Sequence, residues 1–151
     1  MTKLVQVLRG ALALLVLWLA GCATVTVDQA PDGVAKGYVE FRPTGDKVGR
    51  VLVEELTYGV RQRIDPTALF GLPDYDLRVA APPGWHIYNV SVSPKHEQAS
   101  GPSQAVTVFV RKGHVTPVTV RRTIVSRDYG DEGTHIRFTI AIGVGPPVPL
   151  K

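Results

Sequence analysis

The sequence predicts an all-β fold, an antiparallel β-sandwich of about seven strands, and its composition and patterning support this. The 151 residues include 23 Val, 15 Gly and 12 Pro. β-Branched side chains favour strands, whereas Gly and Pro mark turns. Between the turns apolar and polar residues alternate, so each strand has one dry face, and two sheets packed face to face would bury these faces. A small barrel is the alternative, and the length excludes a multidomain enzyme.

The alternation places the strands along the chain. After Gly37, Val39 and Phe41 point one way while their neighbours point the other, which is typical of a strand with one buried face. Turn residues at 43–46 and 82–84 end two of these segments. The alternating segments are residues 39–41, 51–53, 77–79, 88–92, 106–110, 118–120 and 136–142.

Two finer features are expected near the end of this pattern. Residues 106–120 are predicted to form a hairpin that turns at 111–114. Val125 breaks the alternation of the preceding residues. This change of parity predicts a bulge, or the end of the strand, near Arg121 and Arg122.

One helical turn and a proline-rich tail complete the predicted elements. Asp65 can cap a helix, Pro66 fits its first turn and Gly71 ends it, so residues 65–71 are expected to form a single helical turn. Residues 144–151 contain three prolines. Because proline lacks an N–H donor, we expect this tail not to continue a ladder.

The first residues have the pattern of a signal peptide. Lys3 and Arg9 precede an uncharged run of 11 residues, 10–20. At a rise of about 1.5 Å per residue, this run covers about half of the hydrocarbon core of a bilayer. We therefore expect a signal-peptide helix at the start of the chain, with an uncleaved anchor or a buried helix as the alternative.

The apolar run ends in Leu19, Ala20, Gly21 and Cys22, and these four residues resemble the lipobox of bacterial lipoprotein precursors. The resemblance implies cleavage between Gly21 and Cys22, a diacylglyceryl group on the Cys22 thiol and an acyl chain such as palmitate on its amine. A thiol is nucleophilic enough to form that thioether. Because Cys22 is the single cysteine of the sequence, no intramolecular disulfide is expected. A buried free cysteine is the alternative.

The resemblance also divides the chain and places it in the cell. Ala23 stands where an Asp would retain the protein in the inner membrane, so the outer membrane is implied, with the domain facing the periplasm. The inner membrane or the cell surface is the alternative. An edge strand at Val25 and Val27 is the alternative to a tether in this region. The implied divisions are a signal peptide at 1–21, the lipidated cysteine and tether at 22–36, the β-sandwich domain at 37–143 and the tail at 144–151.

Two segments with a turn followed by a strand, residues 81–90 and 112–120, resemble elements of PEGA-like and transthyretin-like accessory domains of bacterial surface proteins. This resemblance implies an immunoglobulin-like or transthyretin-like sandwich. It supports the fold more than any activity.

The motifs of common enzymes are missing from the sequence. It has no Gly-x-Ser-x-Gly elbow, phosphate loop or His-Glu-x-x-His, so we expect a non-enzymatic protein without a cofactor. Without the signal peptide, 15 basic residues face 13 acidic ones, and no nucleic acid partner is implied. The alternative function is a periplasmic metal-binding protein or hydrolase that uses the scattered histidines. These are His86, His96, His114 and His135.

A docking surface is predicted on the longest irregular segment and on the turn at Trp85. Loops on rigid sandwiches often carry binding, and Trp, Tyr and Arg are enriched in binding hot spots. The partner is expected to be an envelope protein or a polysaccharide. Alternatively, Trp85 caps its own core, or a basic stripe on the last strands provides the surface. The predicted docking residues are Arg61, Arg63, Phe70, Trp85 and Tyr88, and the stripe comprises Arg111, Arg121, Arg122 and Arg137.

Overall fold

The structure, a computed structural model, describes residues 24–47, 49–57, 62–64, 75–93, 102–130 and 133–151. Every regular element in these ranges is a β-strand, which confirms the all-β prediction. Within them, no helix is long and apolar enough to cross a membrane. The predicted helical turn at 65–71 lies outside the described residues. The strands are β1 (Thr24–Asp28), β2 (Gly37–Gly45), β3 (Arg50–Glu55), β4 (Gln62–Ile64), β5 (Asp76–Ala81), β6 (Gly84–Ser93), β7 (Ser103–Val110), β8 (His114–Gly130), β9 (Gly133–Val144) and β10 (Val148–Pro149).

The strands form two sheets. The first sheet has the order β1, β5, β2, β8, and the far edge of β8 pairs with both β9 and β10, whereas the second sheet has the order β4, β3, β6, β7. β1 with β5 and β2 with β8 are parallel pairs, so the prediction of purely antiparallel sheets is wrong. Parallel neighbours need a crossover connection. Between β2 and β8 the chain visits the second sheet twice, and those visits supply the crossover.

The predicted hairpin at residues 106–120 does not form, because β7 belongs to the second sheet and β8 to the first. Residues 111–113 carry the chain between the sheets, since three residues span about 10 Å, the usual spacing of packed sheets. Gly113 turns the chain with φ of 68° and donates its N–H to the Lys36 carbonyl at 3.0 Å. The valines of both strands are buried as expected, but they face each other across the core.

Both ends of the described chain join the first sheet. Residues 24–28 are strand β1 rather than part of a tether, and Val27 packs against the core beside β5. The tail also pairs, contrary to expectation: Val148 lies opposite Val115 in β8. The prolines do not prevent this, because Leu150 donates its N–H to Gly113 at 2.9 Å.

One core lies between the two sheets. Phe41 of the first sheet contacts Tyr88 of the second edge to face, with ring centroids 5.2 Å apart. Alternate residues of both sheets fill the space around this pair, so the arrangement is sandwich-like. The buried cluster comprises Val39, Phe41, Val53, Ile64, Leu77, Val79, Ala81, Tyr88, Val90, Val108, Val110, Val118 and Val120.

β8 and β9 continue beyond this core as a two-stranded ribbon. β2 accompanies β8 only as far as the pair of Gly45 with Arg122. The register of β8 against β9 shifts between Ile124 and Ser126. Of the two predicted alternatives, a bulge or the end of the strand, the structure has the bulge, but it lies at Val125 and not at Arg121 and Arg122. We call residues 123–130 and 133–139 the ribbon.

Candidate functional site

Strand β6 separates its side chains between the core and the solvent. His86 and Tyr88 point inward and are buried, whereas Trp85 and Ile87 point outward and are exposed. This separation follows from the two-residue period of a strand. A residue of β6 can therefore either support the core or contact a partner, but not both.

Three large apolar side chains meet on the outer face of the second sheet. Trp85 lies directly opposite Phe109 of β7, and their rings are 5.1 Å apart at an angle of 62°. The exposed fractions are 66% for Trp85, 44% for Phe109 and 40% for Ile87. We call these three residues the aromatic patch. Neighbouring aromatic rings exposed to water are typical of contact surfaces.

The aromatic patch lies on hydrogen-bonded backbone and has a polar border. The Ile87 carbonyl accepts the N–H of Leu56 at 2.8 Å, and its N–H donates to the Thr57 hydroxyl at 3.1 Å. Further along the same face, the Asn89 amide donates to the Glu54 carboxylate at 3.3 Å. An apolar centre with a polar rim is the usual composition of a protein contact surface.

The structure keeps only part of the predicted docking surface. Trp85 is exposed, so it does not cap the core. Tyr88 is wrong as a surface residue, because the alternation of β6 directs it into the core against Phe41. The backbone of Arg63 lies in β4, which β3 separates from β6, and its side chain lies outside the described part. Also outside are Gly21, Cys22, Arg61 and Phe70.

Phe109 and Ile87 complete the aromatic patch but were not among the predicted docking residues. The sequence holds a signal for Phe109, because it alternates with Val108 and Val110 and must face away from them. An aromatic residue on a predicted solvent-facing side of a strand is therefore a better docking candidate than a tyrosine in phase with the buried valines.

His86 is a buried structural residue in this arrangement. Its Nε2 donates to the Pro82 carbonyl at 2.8 Å, and its Nδ1 lies 2.9 Å from the Glu55 carboxylate. The Thr57 hydroxyl is 3.4 Å from the same Nδ1. In a catalytic triad the carboxylate and the nucleophile occupy opposite nitrogens of the imidazole. Here both lie at Nδ1, so the trio lacks the geometry for proton relay.

Among the described residues, no metal site is found at the remaining histidines. His114 Nδ1 donates to its neighbour, the Lys112 carbonyl, at 2.8 Å. In the part of the chain that the structure describes, no three His, Cys, Asp or Glu side chains are grouped to hold a metal ion. His96 and the side chain of His135 lie outside that part.

One of the four arginines of the predicted basic stripe is buried. Arg122 is 1% exposed, and its guanidinium donates to the Gly49 carbonyl at 2.8 Å. It faces inward because it continues the inner face of Val118 and Val120. Arg111, Arg121 and Arg137 are exposed.

Comparison of the sequence with protein-family models and with curated proteins, and of the structure with solved structures, gave no match.

Proposed function

We propose that the protein is a lipid-anchored envelope lipoprotein whose domain is a non-enzymatic binding or structural module. In this proposal Cys22 carries the lipid, and the domain faces the periplasm from the outer membrane. The residues Leu19, Ala20 and Gly21 before the cysteine support the anchor. The aromatic patch supports the binding role, and it is the observation that carries this part of the proposal.

The aromatic patch favours a protein partner over a polysaccharide. The Phe109 ring meets Trp85 at 62° rather than lying coplanar with it, and Ile87 extends the apolar surface. A sugar ring stacks best on a flat aromatic face. An apolar side chain of an envelope protein fits an uneven apolar surface better. A polysaccharide remains the second outcome of the docking test.

The anchor is tested by mass spectrometry of the membrane fraction. We expect a mature N-terminus at Cys22 that carries a diacylglyceryl group and an amide-linked acyl chain. Cys22→Ser should leave an unprocessed, unlipidated precursor, because a hydroxyl cannot form the thioether. A mature N-terminus at another residue, or an unmodified Cys22 in the wild type, would contradict the proposal.

The docking role is tested by crosslinking in intact cells and by identifying what is captured. Trp85→Ala and Phe109→Ala should each weaken capture of a specific envelope protein, about 30-fold for a hot spot of about 2 kcal/mol. Tyr129→Ala is the matched control, since Tyr129 is an exposed aromatic residue on the ribbon. Circular dichroism verifies that each variant is folded.

Two results would reject this placement. Capture that depends on Tyr129 and not on Trp85 would assign docking to the ribbon. Capture that depends on none of the three aromatics would remove the support for a binding role of the aromatic patch. Neither result depends on whether Cys22 is lipidated.

A further inference from the structure

We propose that the outer face of the first sheet holds a binding groove for a phosphate ester with a short apolar substituent. Arg42 and Arg78 form its charged end, and Val115, Pro117 and Val148 line its apolar wall. We call this site the arginine groove. It lies on the opposite side of the molecule from the aromatic patch and rests on separate observations.

A buried carboxylate fixes the two arginines. Glu40 is 2% exposed although it lies on an outer face. Its Oε1 accepts from Arg42 Nε at 2.6 Å, and its Oε2 accepts from Arg78 Nε at 2.8 Å. Each guanidinium directs both its Nε and its Nη2 at Glu40, so Nη1 and the second N–H of Nη2 remain to bind another acceptor. The two forks are thus held in place before a ligand arrives, which reduces the entropy cost of binding.

The charged groups of the site are compatible with an anionic ligand. Burial alone would raise the pKa of Glu40, but the hydrogen bonds and charges of Arg78 and Arg42 outweigh it and hold that pKa below its ordinary value. Burial and the charge of Glu40 raise the pKa of nearby Asp76. At the charged end of the groove, Arg42 and Arg78 together carry two positive charges against the one carboxylate that they hold, Glu40. The excess positive charge favours an anionic ligand.

The groove has the size and lining for a small amphiphile. Its volume is about 350 Å³, and residues 148–151 line it beside Val115, with which Val148 is paired in the sheet. The hydrogen bond from the Leu150 N–H to Gly113 holds these residues against β8. Charged groups at one end and an apolar wall beside them match a ligand with an anionic head and an apolar substituent.

A phosphate fits the charged end better than a carboxylate. Guanidinium groups bind phosphate oxygens through paired N–H donors, and a tetrahedral phosphate can offer different oxygens to two forks at once. A planar carboxylate offers two oxygens in one plane, and Glu40 already fills that role beneath the arginines. The phosphate ester can be a free small molecule or the headgroup of a lipid.

The test is isothermal titration of the domain with hexyl phosphate, inorganic phosphate and hexanol. We expect hexyl phosphate to bind at least tenfold more tightly than inorganic phosphate, and hexanol not to bind. Arg78→Gln and Arg42→Gln should each weaken binding of hexyl phosphate about tenfold, the loss of one charge-assisted contact. Asp76→Asn should tighten binding, because it removes an opposing charge without touching the groove lining. Arg137→Gln on the ribbon is the matched control and should change nothing.

Thermal unfolding shows whether each variant is folded. If an arginine variant does not fold, two variants whose side chains are not hydrogen-bonded to Glu40 still test the site. Asp76→Asn should tighten binding of hexyl phosphate, and Lys151→Ala should weaken it. No binding of hexyl phosphate to the wild type would overturn the proposal. Equal weakening by Arg137→Gln would also overturn it, since general charge attraction would then suffice.

A second arm distinguishes the two sources of the phosphate. The domain is mixed with vesicles of phosphatidylglycerol or of phosphatidylcholine and separated by flotation. Co-flotation with phosphatidylglycerol that Arg78→Gln abolishes assigns a lipid headgroup. Binding of hexyl phosphate without co-flotation assigns a free phosphate ester.

Discussion

The two halves of strand β8 have the same neighbour, β9, but only one half is buried. In the inner half, Thr116, Val118, Val120 and Arg122 are all at most 2% exposed. In the outer half, residues 123–130, no residue is buried, and Val125 and Tyr129 are 65% and 78% exposed. The hydrogen-bonded ladder with β9 runs through both halves.

The second layer makes the difference. β2 leaves β8 at Arg122, and the second sheet covers only the inner half. Pairing satisfies the backbone groups of both halves, but a side chain is buried only where another layer covers it. A two-stranded ribbon alone is marginally stable in water. The stability of the fold is therefore expected to come from the inner half of β8 and the strands around it, and not from the ribbon. Four comparisons test this.

The largest effect is expected at the junction of the two halves. Arg122→Ala removes a fully buried side chain and its hydrogen bond to Gly49. We expect a loss of about 4 kcal/mol in the free energy of unfolding, as for other large buried residues. Arg121→Ala, one residue earlier and exposed, should change it by less than about 0.5 kcal/mol. Urea unfolding measures both, and equal effects would show that burial does not set the contribution.

A second effect concerns the glycine where β2 ends. Gly45 has φ of 79°, and a Cβ there would lie 2.2 Å from the Arg122 carbonyl oxygen. Gly45→Ala should cost about 3 kcal/mol, the sum of backbone strain and this overlap. Gly33→Ala is the matched control, because Gly33 has φ of 76° but nothing near its added Cβ. Its cost should be about 1 kcal/mol, and a cost as large as that of Gly45→Ala would contradict the role of the contact.

A third pair makes the same substitution in both halves of β8. Val120→Ala should lower the free energy of unfolding by about 2 kcal/mol, because two buried methyl groups are lost. Val125→Ala on the ribbon should lower it by less than about 0.5 kcal/mol. Thermal or urea unfolding gives the difference. A large effect of Val125→Ala would indicate that the ribbon is covered in solution.

The smallest effect depends on pH. Because the pKa of Glu40 is lowered by its arginine partners, its ionised form stabilises the fold above the ordinary pKa of 4.5, and this contribution is lost as the pH falls through the lowered value. Glu40→Gln should therefore be less stable than the wild type at pH 7, with the difference shrinking below pH 4.5. Val125→Ala on the ribbon, which removes no titrating group, should keep the wild-type pH profile. A difference for Glu40→Gln that stays constant with pH would reject the ionic contribution.

The sequence predicted correctly which face of the main strands is buried, but it predicted poorly which strands are neighbours in a sheet. Val108, Val110, Val118 and Val120 are buried as the alternation requires. Their hairpin is wrong, because alternation shows which face is dry and says nothing about the strand alongside. The short turn at 111–114 suits a connection between sheets as well as a hairpin. β1 was given only as the alternative to a tether and β10 was missed for a related reason, since each pairs with a strand that lies far away in the sequence, β5 and β8.

The aromatic patch was half predicted. Trp85 was placed correctly at the surface, whereas Tyr88 was assigned to the same surface although the period of β6 puts it on the other face. The arginine groove had no signal in the sequence. Glu40, Arg42 and Arg78 are separated by up to 38 residues, and only the pairing of β2 with β5 brings them together.

By itself the sequence determined the all-β class and the inner and outer faces of the main strands, and it indicated an irregularity late in β8, because these depend on side-chain type and on the short period of a strand. The tertiary structure decided which strands are neighbours, where the second layer ends and which charged groups are buried. Glu40, His86 and Arg122 are polar in the sequence but buried in the fold. They are stable there because backbone carbonyls or oppositely charged groups from distant segments satisfy them, and only the assembled sheets bring those partners within reach.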